Sequence, residues 1–169
     1  MTPSTANPEL AGGQALDFRE RVRQRTGSEE LLTFRIGREW FALELAAVAE
    51  IVEGPDVRPV PEAPGVLLGV FSHHDVLISL YSGAGVLGAD SDDETTALVL
   101  AARGGRFALA VDDVDDVVRI PLADLRQPPR GTADDEVLAG LVWRDGRLIS
   151  VIHARALLAA CCAQPEEAA

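Results

Sequence analysis

Two segments of the chain share one pattern of hydrophobic and polar positions. Residues 31–43 form a hydrophobic run, a turn centred on Gly37 and a second run, and residues 97–111 repeat this order. A short acidic and apolar segment follows each one, at 48–52 and at 114–118. Short hydrophobic runs joined by glycine turns are typical of antiparallel hairpins. The repeat predicts two similar small β units, an architecture that more often binds partners than performs chemistry.

The remaining pattern predicts further short strands, which lie at residues 65–71, 76–80, 138–143 and 148–152. Asp145-Gly146 favours a tight turn between the last two of them. Segment 46–51 fits a helical turn or a strand, because a short apolar run does not decide between them. Short strands at this spacing fit small barrels better than a parallel sheet with long crossover helices.

Four segments are predicted to be helical or irregular from their composition. Residues 1–15 are rich in Pro, Gly, Ala, Ser and Thr and are expected to be disordered. Residues 16–25 favour a short helix, either a basic docking arm or, as we prefer, a weakly ordered helix on the acidic body. Residues 83–94 combine glycines with acidic residues and predict a solvated linker between the halves. The Ala- and Leu-rich segment 154–163 predicts a closing helix.

The length of the chain limits how stable each half can be by itself. Each half of the 169-residue chain has about 60 ordered residues, and a domain of that size buries too little surface to be more than marginally stable. We therefore expect the halves to share a hydrophobic interface. A hydrophobic content of 47% is sufficient for such a core.

Charge and cysteine content exclude several functions. The formal net charge is −12, which argues against binding to nucleic acid or anionic membranes and leaves a protein partner or simple solubility. The two cysteines, Cys161 and Cys162, are adjacent, which cannot form a disulfide framework and lacks metal-ligand spacing. They are interpreted as apolar tail residues of a cytoplasmic protein, with a redox role as the alternative. No run is long enough to span a bilayer.

The chain shows no catalytic, cofactor or metal motif, so we expect a protein that is not an enzyme. A nucleophile elbow, a phosphate loop and a dinucleotide fingerprint are all missing from the sequence. His73 and His74 could supply metal ligands, but neighbouring strand residues face opposite sides, so exposed loop residues are the preferred interpretation. The four aspartates between positions 112 and 116 are expected to form a solvated turn.

The order and spacing of these segments resemble the CheW family of bacterial chemotaxis coupling proteins over about residues 31–160. The matching stretches are 34–37, 41–45, 48–51, 64–70, 105–114, 138–141 and 148–158. The resemblance implies an all-β fold of two SH3-like five-stranded β-barrels with short helices, including a C-terminal helix. It also implies a scaffold that links chemoreceptor cytoplasmic tips to the regulatory domain of the histidine kinase CheA.

The resemblance sets the expected domain boundaries. An N-terminal extension over 1–28 precedes a CheW-like domain at 29–160, and a tail covers 161–169. Within the domain, the first barrel is expected at about 29–88 and the second at about 95–160.

Family positions linked to partner binding match five residues of this chain: Val48, Glu50, Ile51, Gly69 and His74. Val48 and Ile51 fit a core role equally well, since an apolar side chain in a small barrel is by default buried.

The chain departs from the family at one turn. The family usually carries Asn-Leu-Arg-Gly where this chain has Ser72-His73-His74-Asp75. His74 takes the arginine position and is predicted to face Glu50, in a weaker pair that strengthens in acid; the alternative is that the two are unlinked surface residues. The alternative function is therefore a divergent CheW-like module in another signalling complex, with altered receptor or kinase contacts.

Overall fold

Strands dominate the part of the chain that this computed structural model describes, which comprises residues 18–63, 65–91, 93–102, 105–128 and 137–163. The ten strands are β1 (Ser28–Ile36), β2 (Glu39–Glu44), β3 (Val48–Glu53), β4 (Leu67–His73), β5 (Val76–Ser82), β6 (Thr96–Ala102), β7 (Gly105–Val111), β8 (Asp113–Pro121), β9 (Leu138–Arg144) and β10 (Arg147–Ile152). Every predicted strand is present, with bounds shifted by a few residues. The expected disordered segment 1–15 lies outside the described residues.

Three short α-helices and two 3₁₀ turns complete the described structure. The helices are α1 (Phe18–Gln24), α2 (Gly83–Leu87) and α3 (Ala154–Ala163), and the 3₁₀ turns are Leu45–Ala47 and Leu122–Asp124. The ambiguous segment 46–51 is thus a helical turn that leads directly into β3. No helix among the described residues is long and apolar enough to cross a membrane.

The strands form two five-stranded sheets, which confirms the predicted all-β fold. The first sheet has the order β8-β1-β2-β10-β9 and the second sheet has the order β3-β6-β7-β5-β4. β10 runs parallel to β2 and β5 runs parallel to β7, whereas the other ladders are antiparallel. Among the described residues no ladder joins the end strands of either sheet.

The two sheets exchange strands between the halves of the chain. Strands β1–β5 correspond in order to β6–β10, yet each sheet combines the first hairpin of one half with the last three strands of the other. The expected division into a first barrel at 29–88 and a second at 95–160 is therefore wrong. The hairpins are local and can be predicted from turns, but the exchange depends on long-range pairing of β1 with β8 and of β3 with β6.

A central apolar layer lies between the two sheets. The first sheet contributes Leu32, Phe34, Ile36, Phe41 and Leu43, the second contributes Leu98, Leu100, Phe107, Leu109 and Val111, and α3 adds Leu157 and Cys161. Cys161 is 1% exposed, so it is a core residue and not part of a tail. The alternate face of each hairpin is also buried, because Ala42 packs in the core of the first sheet and Ala108 in that of the second.

Asp112 lies where the chain passes from β7 in the second sheet to β8 in the first. Its side chain is buried, so the expected solvated turn is wrong for this aspartate. Gly37 N–H donates to Oδ2 at 2.7 Å, while the Ser91 hydroxyl and Glu94 N–H donate to Oδ1 at 2.7 and 2.9 Å. One carboxylate thus joins the β1–β2 turn, the crossing and the loop before β6. Asp113, Asp115 and Asp116 are exposed as expected, but they lie on strand β8 and not in a turn.

The described residues 83–91, 93 and 94 form an ordered connection, which corrects the prediction of a solvated linker. Ser82 caps α2 by accepting from Gly85 N–H at 2.9 Å, and Glu94 accepts from Ala84 N–H at 2.9 Å. A Cβ on Gly83 would lie 2.4 Å from the Ala110 carbonyl oxygen, so only glycine fits there. The cap from Ser82 is local, whereas the one from Glu94 comes from ten residues further along the chain and is not indicated by local composition.

Helix α1 packs on the first sheet through Phe18 and Val22, which are both buried. Arg21 pairs with Glu29 at 2.5 Å, and Arg25 donates to the Leu125 carbonyl at 3.0 Å. The preferred interpretation, a helix lying on the body of the protein, agrees with this packing, and these contacts make α1 more than a weakly ordered terminus.

We expect the two sheets to unfold in one transition, because strand exchange and the central layer make each sheet depend on the other. Both tryptophans, Trp40 and Trp143, lie in the first sheet, so their fluorescence reports on that sheet alone. Far-UV circular dichroism reports on both sheets. The two denaturant curves should coincide, and a clear separation between their midpoints would contradict the prediction.

Replacing Asp112 with alanine should destabilise the fold by about 3 kcal/mol, because it leaves the buried Gly37 N–H and two partly buried donors without their charged acceptor. Asp112→Asn keeps one oxygen acceptor and should lose less. The exposed Asp113→Asn is the matched control and should stay within about 0.5 kcal/mol of the wild type. Denaturant unfolding measures all three, and equal stabilities for Asp112→Ala and Asp113→Asn would disprove the role of Asp112.

Candidate functional site

The turn between β4 and β5 is formed by two residues, His74 and Asp75. His73 pairs with Val76 across the hairpin, and the two turn residues have φ angles of 52° and 64°. Positive φ at both central positions is the type I′ geometry that matches the twist of a hairpin. Aspartate tolerates this backbone region better than most residues do. The turn therefore forms although neither position holds glycine.

Glu50 brings β3 to this turn. Strands β3 and β4 are the two end strands of the second sheet, yet Glu50 accepts a hydrogen bond from His73 Nε2. His74 Nε2 lies 3.4 Å from the other carboxylate oxygen of Glu50. The sheet thus curls until its two edges meet at one carboxylate. We call these three residues, Glu50, His73 and His74, the edge cluster.

The predicted contact between Glu50 and His74 is confirmed, but His73 is the closer partner and was missed. Inward-facing β4 residues such as Phe71 alternate with outward-facing ones, and His73 shares the inward side. From the sequence, the inward orientation of His73 could have been indicated only by counting the alternation of β4 residues back from the turn.

Neighbouring histidines were expected to face opposite sides, and this expectation is wrong here. His74 has a left-handed backbone, so its side chain does not follow the strand alternation that places His73. The two imidazole rings lie with their centroids 4.1 Å apart. The side chains of His73, His74 and Glu50 are 24%, 69% and 38% exposed, so the cluster is open to solvent on the His74 side.

The electrostatics of the edge cluster favour an ionised carboxylate. The hydrogen bond from His73 lowers the pKa of Glu50 below its ordinary value, with smaller lowering contributions from the histidine charges. Partial desolvation of the carboxylate opposes this and raises the pKa. Glu50 is therefore an anionic acceptor over the physiological pH range.

The edge cluster also groups three atoms that can ligate a metal ion. One imidazole nitrogen from each histidine and one carboxylate oxygen of Glu50 all lie within 4.8 Å of one another. The arrangement can hold a cation between them or bind a polar group of another protein.

Exposed apolar side chains also lie on strands β3, β4 and β5 of the same sheet. Ile51 follows Glu50 on β3 and is 44% exposed, whereas β4 and β5 expose Leu68, Val76 and Leu77. Leu77 is the most exposed of them at 70%. Exposed apolar side chains on neighbouring strands of one sheet are typical of a protein-binding surface.

The two other predicted site residues, Val48 and Gly69, contribute to the packing of the fold. Val48 is partly buried and packs against the central layer. Gly69 is buried, and a Cβ there would lie 2.3 Å from the Arg58 carbonyl oxygen. Arg58 and Val70 exchange backbone hydrogen bonds of 2.7 and 2.9 Å, so Gly69 is needed for this segment to lie on β4.

The two sheets, the central layer and the exposed edge define an all-β module without a recognisable catalytic constellation among the described residues. The chain belongs to the CheW-like domain family, whose family model matches residues 30–161.

Named relatives agree with this assignment. The chemotaxis protein CheW of Rhizobium meliloti (strain 1021) is 27% identical over 132 residues, covering 75% of this chain and 85% of the relative. The chemotaxis protein CheW of Helicobacter pylori (strain ATCC 700392 / 26695) is 27% identical over 154 residues, covering 89% and 90%. Protein FrzA of Myxococcus xanthus is 28% identical over 137 residues, covering 76% and 82%.

A solved structure has the same fold. The crystal structure of the scaffolding protein TtCheW from Thermoanaerobacter tengcongensis matches with a TM-score of 0.68 and 21% sequence identity. The match covers 75% of this chain and 89% of that one.

The Glu50 carboxyl should titrate below its ordinary range in the wild type and return toward it in His73→Ala, which removes the main donor. Because the folded-state pKa is lowered, the stabilisation is present above the unfolded-state pKa and is lost as pH falls through the folded-state value. Carboxyl-carbon NMR shifts of chelator-treated protein measure this titration. Asp75→Asn is the control and should leave it unchanged, and an identical Glu50 titration in His73→Ala would contradict the assigned cause.

Proposed function

We propose that the protein is a non-enzymatic scaffold that couples chemoreceptor cytoplasmic tips to the regulatory domain of the histidine kinase CheA, in the cytoplasm. Family membership supports the adaptor role, and the exposed apolar edge beside Glu50 is the observation that carries the proposed contact. No nucleic acid partner and no membrane insertion form part of the proposal, since the net charge is −12.

Ile51 is the residue on which we base the kinase contact. Its side chain is exposed on an end strand of the second sheet, one position after Glu50, whose carboxylate contacts two histidines. An edge strand offers unpaired backbone groups, and an apolar side chain on it can enter a partner's core. Val48 and Gly69 act in this proposal by shaping the strands beneath the surface, while Glu50 and His74 supply its polar rim.

An alternative is a CheW-like module that serves a different signalling complex. The observation that favours it is the turn itself, where His74 replaces the family's arginine. A guanidinium presents a planar, always charged fork, whereas an imidazole offers one donor per nitrogen and is charged only when protonated. A partner that recognises the arginine would lose that contact here.

The variant Ile51→Asp should weaken capture of CheA by at least about tenfold, because it puts a charge at the centre of an apolar contact. Val117→Asp is the matched control: it is a β-branched residue of similar exposure, 42%, on β8 of the first sheet. Binding is measured by titration calorimetry, and both variants should melt near the wild-type temperature.

Two outcomes distinguish the interpretations. If Ile51→Asp unfolds the protein while Val117→Asp does not, Ile51 is a structural residue and the kinase contact fails. If the wild type itself captures neither CheA nor receptor tips, the alternative complex is favoured.

Val48→Asp is expected to destabilise the fold, because Val48 packs against the central layer.

A further inference from the structure

We propose that the edge cluster is a binding site for a divalent transition metal ion, with Zn²⁺ as the representative ion. Glu50, His73 and His74 would supply one carboxylate oxygen and two imidazole nitrogens. The proposal does not depend on the partners of the protein.

The donor set favours a transition metal over Mg²⁺ or Ca²⁺. Imidazole suits Zn²⁺, Cu²⁺ and Ni²⁺, whereas the hard cations prefer sites made only of oxygen ligands. Two histidines with one glutamate form a three-ligand set that zinc uses in proteins, with a further position left for water. His74 is 69% exposed, so that position faces solvent and the ion has a direct path of entry.

The spacing of the donor atoms is close to what an ion requires. Ligands about 2.05 Å from a tetrahedral zinc ion are separated from each other by about 3.3 Å. His74 Nε2 and Glu50 Oε2 lie 3.4 Å apart, and all three donors fall within 4.8 Å. His73 and Glu50 are closer, at hydrogen-bond range, and separate by a small side-chain rotation when the ion replaces the shared proton.

The fold arranges this set before any ion binds. The left-handed backbone at His74 directs it to the same carboxylate as His73, and the hydrogen bond from His73 already orients Glu50. Glu50 supplies a carboxylate to the site, in a protein whose formal net charge of −12 favours the approach of a cation. Preformed and oppositely charged ligands reduce the ordering cost of metal binding.

An ion at this position would connect two strands that no ladder joins. Glu50 is on β3 and His73 on β4, the ends of the second sheet. A ligand that binds only the folded state stabilises it by mass action. Zn²⁺ should therefore raise the melting temperature of the whole protein.

The test uses the full chain without a polyhistidine tag, stripped with a chelator and titrated with ZnCl₂ by calorimetry. We expect one ion per chain, and a loss of affinity of at least about tenfold in His73→Gln and in His74→Gln. Glu53→Gln, an exposed carboxylate on the same strand, is the matched control and should bind as the wild type does. Each variant's metal-free melting curve verifies its fold.

Imidazole NMR on the wild type gives a test that needs no variant. The chain has three histidines, and Zn²⁺ should shift the ring nitrogens of His73 and His74 but not those of His153, which is buried against Phe18. Absence of binding at millimolar Zn²⁺ would overturn the proposal. Binding with unshifted His73 and His74, or undiminished in the double variant His73→Gln/His74→Gln, would place the ion elsewhere and overturn it as well.

Discussion

The burial of a single apolar layer between the two sheets is the constraint on which the rest of the structure depends. The hairpins β1–β2 and β6–β7 are apolar on both faces, so neither can be an outer wall of an isolated barrel. One face of each hairpin packs in the core of its own sheet. The other face is buried only by packing against the other hairpin. Packing Phe34 and Phe41 against Leu98 and Leu109 satisfies this requirement and holds the hairpins at the centre.

Exchange of the outer strands follows from that central position. The chain leaves each hairpin at the boundary between the sheets, through Leu45–Ala47 in one case and through Asp112 in the other. It then enters the opposite sheet as β3 or β8. A buried carboxylate at the second crossing satisfies backbone donors that neither sheet can pair, which is what a crossing through apolar surroundings requires.

The same topology places the candidate functional residues. Strand exchange makes β3 and β4 the opposite ends of one sheet, and the curl of that sheet brings Glu50 against His73 and His74. The polar side chains of the edge cluster and the exposed apolar side chain of Ile51 thereby lie at one edge of the sheet. A partner that docks there and a metal ion bound there would compete for Glu50, so the two proposals concern the same surface but are tested by separate measurements.

Local chemistry in the sequence determined the strands, the two-residue turn at Asp145-Gly146 and helix α3, because turns and hydrophobic periodicity act over a few residues. The pairing of Glu50 with His74 was indicated by the family resemblance and not by local chemistry. Only the tertiary structure decided which hairpin joins which strands, that Asp112 is buried and that His73 reaches Glu50. These features depend on contacts between residues far apart in sequence, such as Glu50 with His73, Gly37 with Asp112 and Trp40 with Ile149, where the burial of a shared core outweighs any local preference.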